Sequence, residues 1–108
     1  MNPSEAIGKI GGNNALSIET ANDICKSLGI PNMPLDYAMI WNSKEEAQKK
    51  YNFYPFKESG SAIDALELGY YICGKLGMNA RADCPYIGHE RQADYIREEL
   101  MKYFIKQE

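Results

Sequence analysis

The side chains best suited to bind a ligand lie close together, in residues 79–92 of this 108-residue chain. We take five of them as candidate binding residues: Arg81, Tyr86, His89, Arg91 and Gln92. Arginine offers paired hydrogen-bond donors to carboxylates and phosphates, and histidine changes its charge near neutral pH. Cations near the start of a helix oppose the helix dipole, so a bound anion is one explanation for them. The alternative explanation is that Arg81 or Arg91 forms an ion pair with Asp83 or Glu90.

The same segment joins two predicted helices, which is a common setting for a binding site. Pro85 restricts the backbone there, and Gly88 leaves room for a close approach of another group. These features predict a site for a small anionic ligand or for the acidic surface of a partner protein.

Nucleophilic or metal chemistry would have to use the few cysteines and the one histidine. Cys84 precedes His89 by five residues, and an imidazole near a thiol lowers the pKa of that thiol. Cys73, Cys84 and His89 are also three potential zinc ligands, but zinc sites favour paired ligands two to four residues apart. We therefore predict no metal site, no cofactor and no catalytic residue. A small enzyme that uses Cys84 and His89 remains an alternative.

Residues 17–45 suggest a second alternative, a DNA-binding regulator with a helix-turn-helix-like segment. The helix that should read bases would have to carry Arg, Lys, Asn or Gln, whereas residues 37–41 are apolar. The chain carries 12 basic and 15 acidic residues, a net charge of −3, and lacks the basic excess of most nucleic-acid-binding proteins. Nucleic acid is therefore not the expected partner.

Helical spacing of apolar residues predicts the elements that would position the candidate site. A first helix starts near Ser17 and ends at Gly29; its buried face is Ala21, Ile24, Cys25 and Leu28. A later helix is capped by Ser61 and ends at Gly77. Its small residues Ala62, Ala65, Gly69 and Cys73 form a stripe that allows another helix to approach closely. Before these elements, glycines and asparagines predict a loop with one short helical turn ahead of it.

A last helix is predicted over residues 89–105, with an apolar face and a charged face. The inward residues are Ala93, Ile96, Leu100, Tyr103 and Phe104. Glu98 and Lys102 are spaced to pair on the outer face. Residues 36–54 are predicted as a further helix, with a strand over residues 37–41 as the competing interpretation, and residues 52–60 as an aromatic-rich loop.

Taken together, these elements predict an all-α, compact, bundle-like domain of about four helices that spans residues 1–108. The chain has no apolar run long enough to cross a bilayer. We expect no secretory signal, because residues 1–15 contain no sustained apolar stretch. The three cysteines are an odd number, which favours reduced thiols. We expect a cytoplasmic protein without membrane contact. Eight tyrosines against three phenylalanines favour exposed aromatic surface and a homo-oligomer. The predicted function is non-enzymatic binding, as a regulator or inhibitor.

Overall fold

Five helices and a two-stranded sheet make up the part of the chain that the computed structural model describes, namely residues 1–11, 15–34 and 62–105. In chain order, the elements are α1 (Pro3–Gly8), β1 (Ala15–Ser17), α2 (Ile18–Ser27), β2 (Ala62–Asp64), α3 (Ala65–Lys75), α4 (Ala80–Asp83) and α5 (His89–Phe104).

The prediction of an all-α fold is wrong, because β1 and β2 pair as antiparallel strands. Leu16 lies opposite Ile63 in the register of this pair. Each strand is only three residues long and leads directly into a helix. Three residues are too few to show the alternation by which a strand is recognised in a sequence. The protein is mainly helical, with this small sheet joining the starts of α2 and α3.

The starts of α1, α2 and α3 are each capped by a short polar side chain that accepts a hydrogen bond from a free backbone amide. Ser17 caps α2 by accepting from the amide of Thr20 at 3.2 Å, which confirms the predicted start. The helix predicted to follow Ser61 begins later, at Ala65, because residues 62–64 form β2. Its cap is Asp64, whose carboxylate accepts from the amide of Leu66 at 3.1 Å. The short helix before the glycine-rich segment is α1, which Asn2 caps.

The two predicted helix ends are confirmed. Gly29 and Gly77 have positive φ angles of 72° and 82°, a conformation that glycine adopts without steric cost. After each glycine the chain turns back on its helix, and the amides of Ile30 and Met78 donate to carbonyls of the preceding turns at 2.8 and 2.9 Å.

Helix α3 lies at the centre of the core, and α5 packs across it at Gly69. A β carbon built on Gly69 would lie 2.6 Å from Ile10 Cγ2 and 3.0 Å from Ile96 Cγ2. Gly69, at the centre of the predicted small-residue stripe, therefore does permit a close approach, whereas Ala62 of that stripe lies in β2. The two core cysteines, Cys25 and Cys73, are completely buried, as predicted.

A second close approach fixes the end of α1 against α5. Gly11 has a φ of 97°, and a β carbon there would lie 2.5 Å from both Ala93 Cβ and Arg97 Nη1. Arg97 donates from Nη1 to the carbonyl oxygen of Ile10 at 2.7 Å, and its other terminal nitrogen pairs with Asp94. The backbone around Gly11 is thus held by a side chain from the other end of the sequence.

The predicted last helix is confirmed as α5, with two differences in its side chains. Ala93, Ile96 and Leu100 are buried, but Tyr103 is 45% exposed and was wrongly assigned to the core. At 3.6 residues per turn, position 104 lies closer than position 103 to the direction of Leu100, about 40° against 60° around the helix. The outer ion pair also differs, because Lys102 contacts Glu99 at 3.6 Å.

Several predictions lie outside the described residues. These are the helix over residues 36–54, the competing strand over residues 37–41 and the loop over residues 52–60. Within the helix-turn-helix-like segment 17–45, only α2 and the irregular stretch up to Pro34 are described. Among the described residues, no helix has the length and apolar character needed to cross a membrane.

Candidate binding site

The predicted site segment begins with α4, which is fastened to α3 by Arg81. Its guanidinium group makes two hydrogen bonds to the Glu67 carboxylate, at 3.3 and 2.5 Å. The same group lies over the Tyr70 ring, 4.1 Å from the ring centre. Planar stacking and paired hydrogen bonds are both properties of arginine rather than lysine. Arg81 therefore joins two helices, and this contact competes with any bound ligand.

The loop from Cys84 to Gly88 connects α4 to α5 and presents apolar surface. Ile87 is 92% exposed and Tyr86 44%. The carbonyl oxygen of Tyr86 accepts a hydrogen bond from Gln92 Nε2 at 3.3 Å, so Gln92 holds the loop against the first turns of α5. The Tyr86 ring meets the Tyr95 ring edge to face, with 6.2 Å between their centres. Tyr86 thus has one edge fixed on α5, while Ile87 projects beyond it.

His89, at the first position of α5, lies beside the cap of α3. Its Nε2 atom is 3.9 Å from Oδ1 of Asp64, and its side chain is only partly exposed. This contact brings the starts of α3 and α5 together. The contact with Asp64 therefore fixes the position of His89 at the end of the loop.

Arg91 and Tyr86 line a shallow pocket on the outer face of α5, which we call the Tyr86 pocket. Its volume is about 220 Å³, and its other lining residues are Asp94, Tyr95 and Glu98. A neighbouring pocket of about 370 Å³, the Asp83 pocket, shares Tyr95 and is completed by Gly77, Met78, Asn79, Ala80, Asp83 and Glu99. Tyr95 stands at the boundary of both.

Carboxylates outnumber cations around these two pockets. The linings contain Asp83, Asp94, Glu98 and Glu99, and Arg91 is their single cation. Arg97 pairs with Asp94, and Lys102 pairs with Glu99. Within the described ranges, neither Asp83 nor Glu98 has an ion-pair partner.

The carboxylates around the two pockets affect the pKa of Tyr95, the residue that both pockets share. Burial raises the pKa of Tyr95 above its ordinary value, and the nearby Glu99 and Asp83 carboxylates raise this pKa further. Tyr95 therefore stays neutral and offers a ring face beside carboxylates.

The structure thus separates the five predicted site residues into two groups. Tyr86 and Arg91 line the same pocket, whereas Arg81, His89 and Gln92 make contacts that hold α3, α5 and the loop in place. The sequence analysis missed Tyr95 and placed Glu98 on the charged outer face of the last helix. The sequence did carry a signal for Tyr95, because Arg91, Tyr95 and Glu98 are spaced at helical intervals and therefore lie on one side of α5.

The cysteines that could act as nucleophiles or zinc ligands, Cys73 and Cys84, do not line either pocket. Cys73 is completely buried, and burial raises the pKa of its thiol to about 11. Cys84 is half-buried, with Sγ 3.9 Å from the Tyr86 carbonyl oxygen. In the parts of the chain that are described, no group of three or more His, Cys, Asp or Glu side chains is arranged to hold a metal ion.

Comparison with protein-family models, with curated proteins and with solved structures gives no match to this chain.

Proposed function

We propose that this protein is a non-enzymatic binding protein that engages a partner protein through one surface. We call it the loop–helix surface and define it by Tyr86, Ile87, Arg91, Asp94, Tyr95 and Glu98. The observation that carries the proposal is the 92% exposure of Ile87 beside an exposed tyrosine and a pocket. Burying a side chain of this size contributes about 1.5–3 kcal/mol, which a partner would gain on binding.

A partner protein suits this surface better than a small anionic ligand. Arg81 is engaged with Glu67, and Arg91 shares its pocket with Asp94 and Glu98. An anion would meet these carboxylates, and like charges at short range repel. A protein surface can cover the apolar loop and place its own polar groups at the rim. The three free thiols support a cytosolic setting as part of this proposal.

The test is affinity capture from the native host with the whole protein, followed by titration of the purified captured partner. Ile87→Ser should weaken binding about tenfold or more, because the lost apolar burial is worth at least ~1.4 kcal/mol. Met101→Ser is the control, since Met101 is also an exposed apolar residue but lies near the other end of α5, outside the loop–helix surface. Its affinity should stay within about twofold of the parent.

The proposal fails if Ile87→Ser binds the captured partner as tightly as Met101→Ser does. Circular dichroism of both variants, with the parental spectrum expected, excludes a folding defect as the cause of weak binding.

Light scattering measures the mass of the protein in solution and so tests the homo-oligomer expected from the tyrosine content. A dimer that Ile87→Ser dissociates would identify a second copy as the occupant and overturn the assignment to a different protein.

A further inference from the structure

The contact that fastens α4 shows how this chain holds an arginine. Glu67 and Tyr70 lie three residues apart on α3, so both side chains project from one side of the helix. Arg81 uses both at once, with paired hydrogen bonds to the carboxylate and a stacked contact with the ring. Cation–π attraction and charge-assisted hydrogen bonds reinforce each other in this geometry.

The loop–helix surface carries the same two residue types at the same separation, but in the reverse order along the helix. Tyr95 precedes Glu98 by three residues on α5, whereas Glu67 precedes Tyr70 on α3, and both Tyr95 and Glu98 line the Tyr86 pocket. Tyr86 adds a second ring at 6.2 Å from the first. In the described part of the chain, no ion pair occupies Glu98. The pocket therefore offers a carboxylate and two aromatic rings, next to the exposed Ile87.

We infer that the partner presents an arginine beside an apolar residue, and that this arginine enters the Tyr86 pocket to contact Glu98 and the Tyr95 ring. The inference rests on the proposed function, because it names the partner's contact residue. The excess of carboxylates over cations in the pocket linings supplies the charge complementarity. The apolar neighbour of that arginine would cover Ile87.

Removal of the Arg91 charge distinguishes the binding of an arginine from the binding of an anion, because it changes the two affinities in opposite directions. Arg91 lines the same pocket, so its positive charge repels an incoming guanidinium group. Removing that charge should tighten the binding of an arginine and weaken the binding of an anion. Glu98→Gln removes a negative charge, so it should weaken the binding of an arginine and tighten the binding of an anion.

The test uses the full chain and two capped dipeptides, N-acetyl-leucyl-arginine amide and N-acetyl-leucyl-glutamate amide, in a nuclear magnetic resonance titration. The arginine peptide should shift the signals of Tyr86, Tyr95 and Glu98 in a saturable way. Glu98→Gln should weaken this binding about tenfold, the loss expected for a charged hydrogen bond. Arg91→Ala should strengthen it. Glu90→Gln, an exposed α5 carboxylate outside both pockets, is the matched control and should leave the affinity within about twofold.

The inference is overturned if the arginine peptide does not shift these signals, or if the glutamate peptide shifts the same signals more tightly. It is also overturned if Glu98→Gln and Glu90→Gln bind the arginine peptide equally. None of these results touches the proposed function, which depends on the effect of Ile87→Ser on the captured partner. An unchanged affinity of Ile87→Ser would in turn remove the proposed function while the peptide result stands.

Discussion

Arg81 shows how one side chain can hold a whole element in place. Helix α4 is a single turn with one buried residue, Ala80, so its own apolar contacts with the core are few. The ion pair with Glu67 and the stacked contact with Tyr70 add the attachment that this turn needs. Because Asp83 and Ala80 line the Asp83 pocket, the same attachment keeps that pocket in shape.

Arg81→Ala should lower the free energy of unfolding by about 0.5–2 kcal/mol, because it removes a half-exposed ion pair and a cation–π contact. Arg81→Lys should recover only part of the loss, since an ammonium group neither stacks nor forms the paired hydrogen bonds. Urea denaturation measures both variants. Arg91→Ala is the control, with a change within about 0.5 kcal/mol. Equal effects of the two alanine variants would show that the Arg81 contacts do not stabilise the attachment of α4 to α3.

The crossing of α3 and α5 is the main contact between elements, and Gly69 sets its distance. The Ile10 and Ile96 side chains occupy the space where a β carbon would stand. On the same helix, Gly74 is exposed, and a β carbon there would meet nothing within 4 Å. These two glycines therefore separate the effect of packing from that of helix propensity.

Gly69→Ala should destabilise the protein, because the strain of moving Ile10 outweighs the gain in helix propensity of about 1 kcal/mol. Gly69→Leu should destabilise it much more, by forcing the two helices apart. Gly74→Ala should be neutral or slightly stabilising, since only the propensity changes. Thermal unfolding followed by circular dichroism compares the three variants. A Gly69→Ala protein that melts at or above the parental temperature would show that the crossing accommodates a β carbon at position 69.

The elements differ in how far the sequence could predict them. Helices α2, α3 and α5 were predictable because each repeats apolar residues over several turns, and Gly29 and Gly77 mark where two of them end. The pairing of β1 with β2 was not predictable, since it joins residues far apart in the chain through strands of three residues. At the candidate site, residue type singled out Tyr86 and Arg91, which the structure places in one pocket. The spacing of Tyr95 from Arg91 was visible in the sequence, but the packing of the Tyr86 ring against Tyr95 was not, because the loop conformation brings the two rings together.

At the scale of the whole molecule, the core connects α1, α2, α3 and α5 through fully buried side chains. Two of these side chains are titratable. Burial raises the pKa of both the Cys25 and the Cys73 thiol to about 11, from an ordinary value near 9. The folded protein therefore keeps both thiols neutral at pH values where the unfolded chain has begun to ionise them.

This difference predicts that stability falls as pH rises from about 9 to about 11, because the unfolded state loses its thiol protons first. Below pH 9 the contribution is fully present. Urea midpoints measured at pH 8 and pH 10 give the slope. Cys25→Ala and Cys73→Ala should each reduce the slope while lowering stability at pH 8 through the cavity they create. A slope that the parent and both variants share would rule out the buried thiols as its source.

The close approach of Gly11 to α5 also limits how this sequence can diverge. A side chain at position 11 would collide with Ala93 and Arg97, and the loss of Arg97 would leave the Ile10 carbonyl oxygen without its donor. Substitutions at these three positions are therefore not independent, whereas exposed positions can change separately. We therefore expect selection to retain glycine at 11, a small residue at 93 and arginine at 97 longer than the exposed residues. A distant homologue should keep these three residues even where its surface has changed.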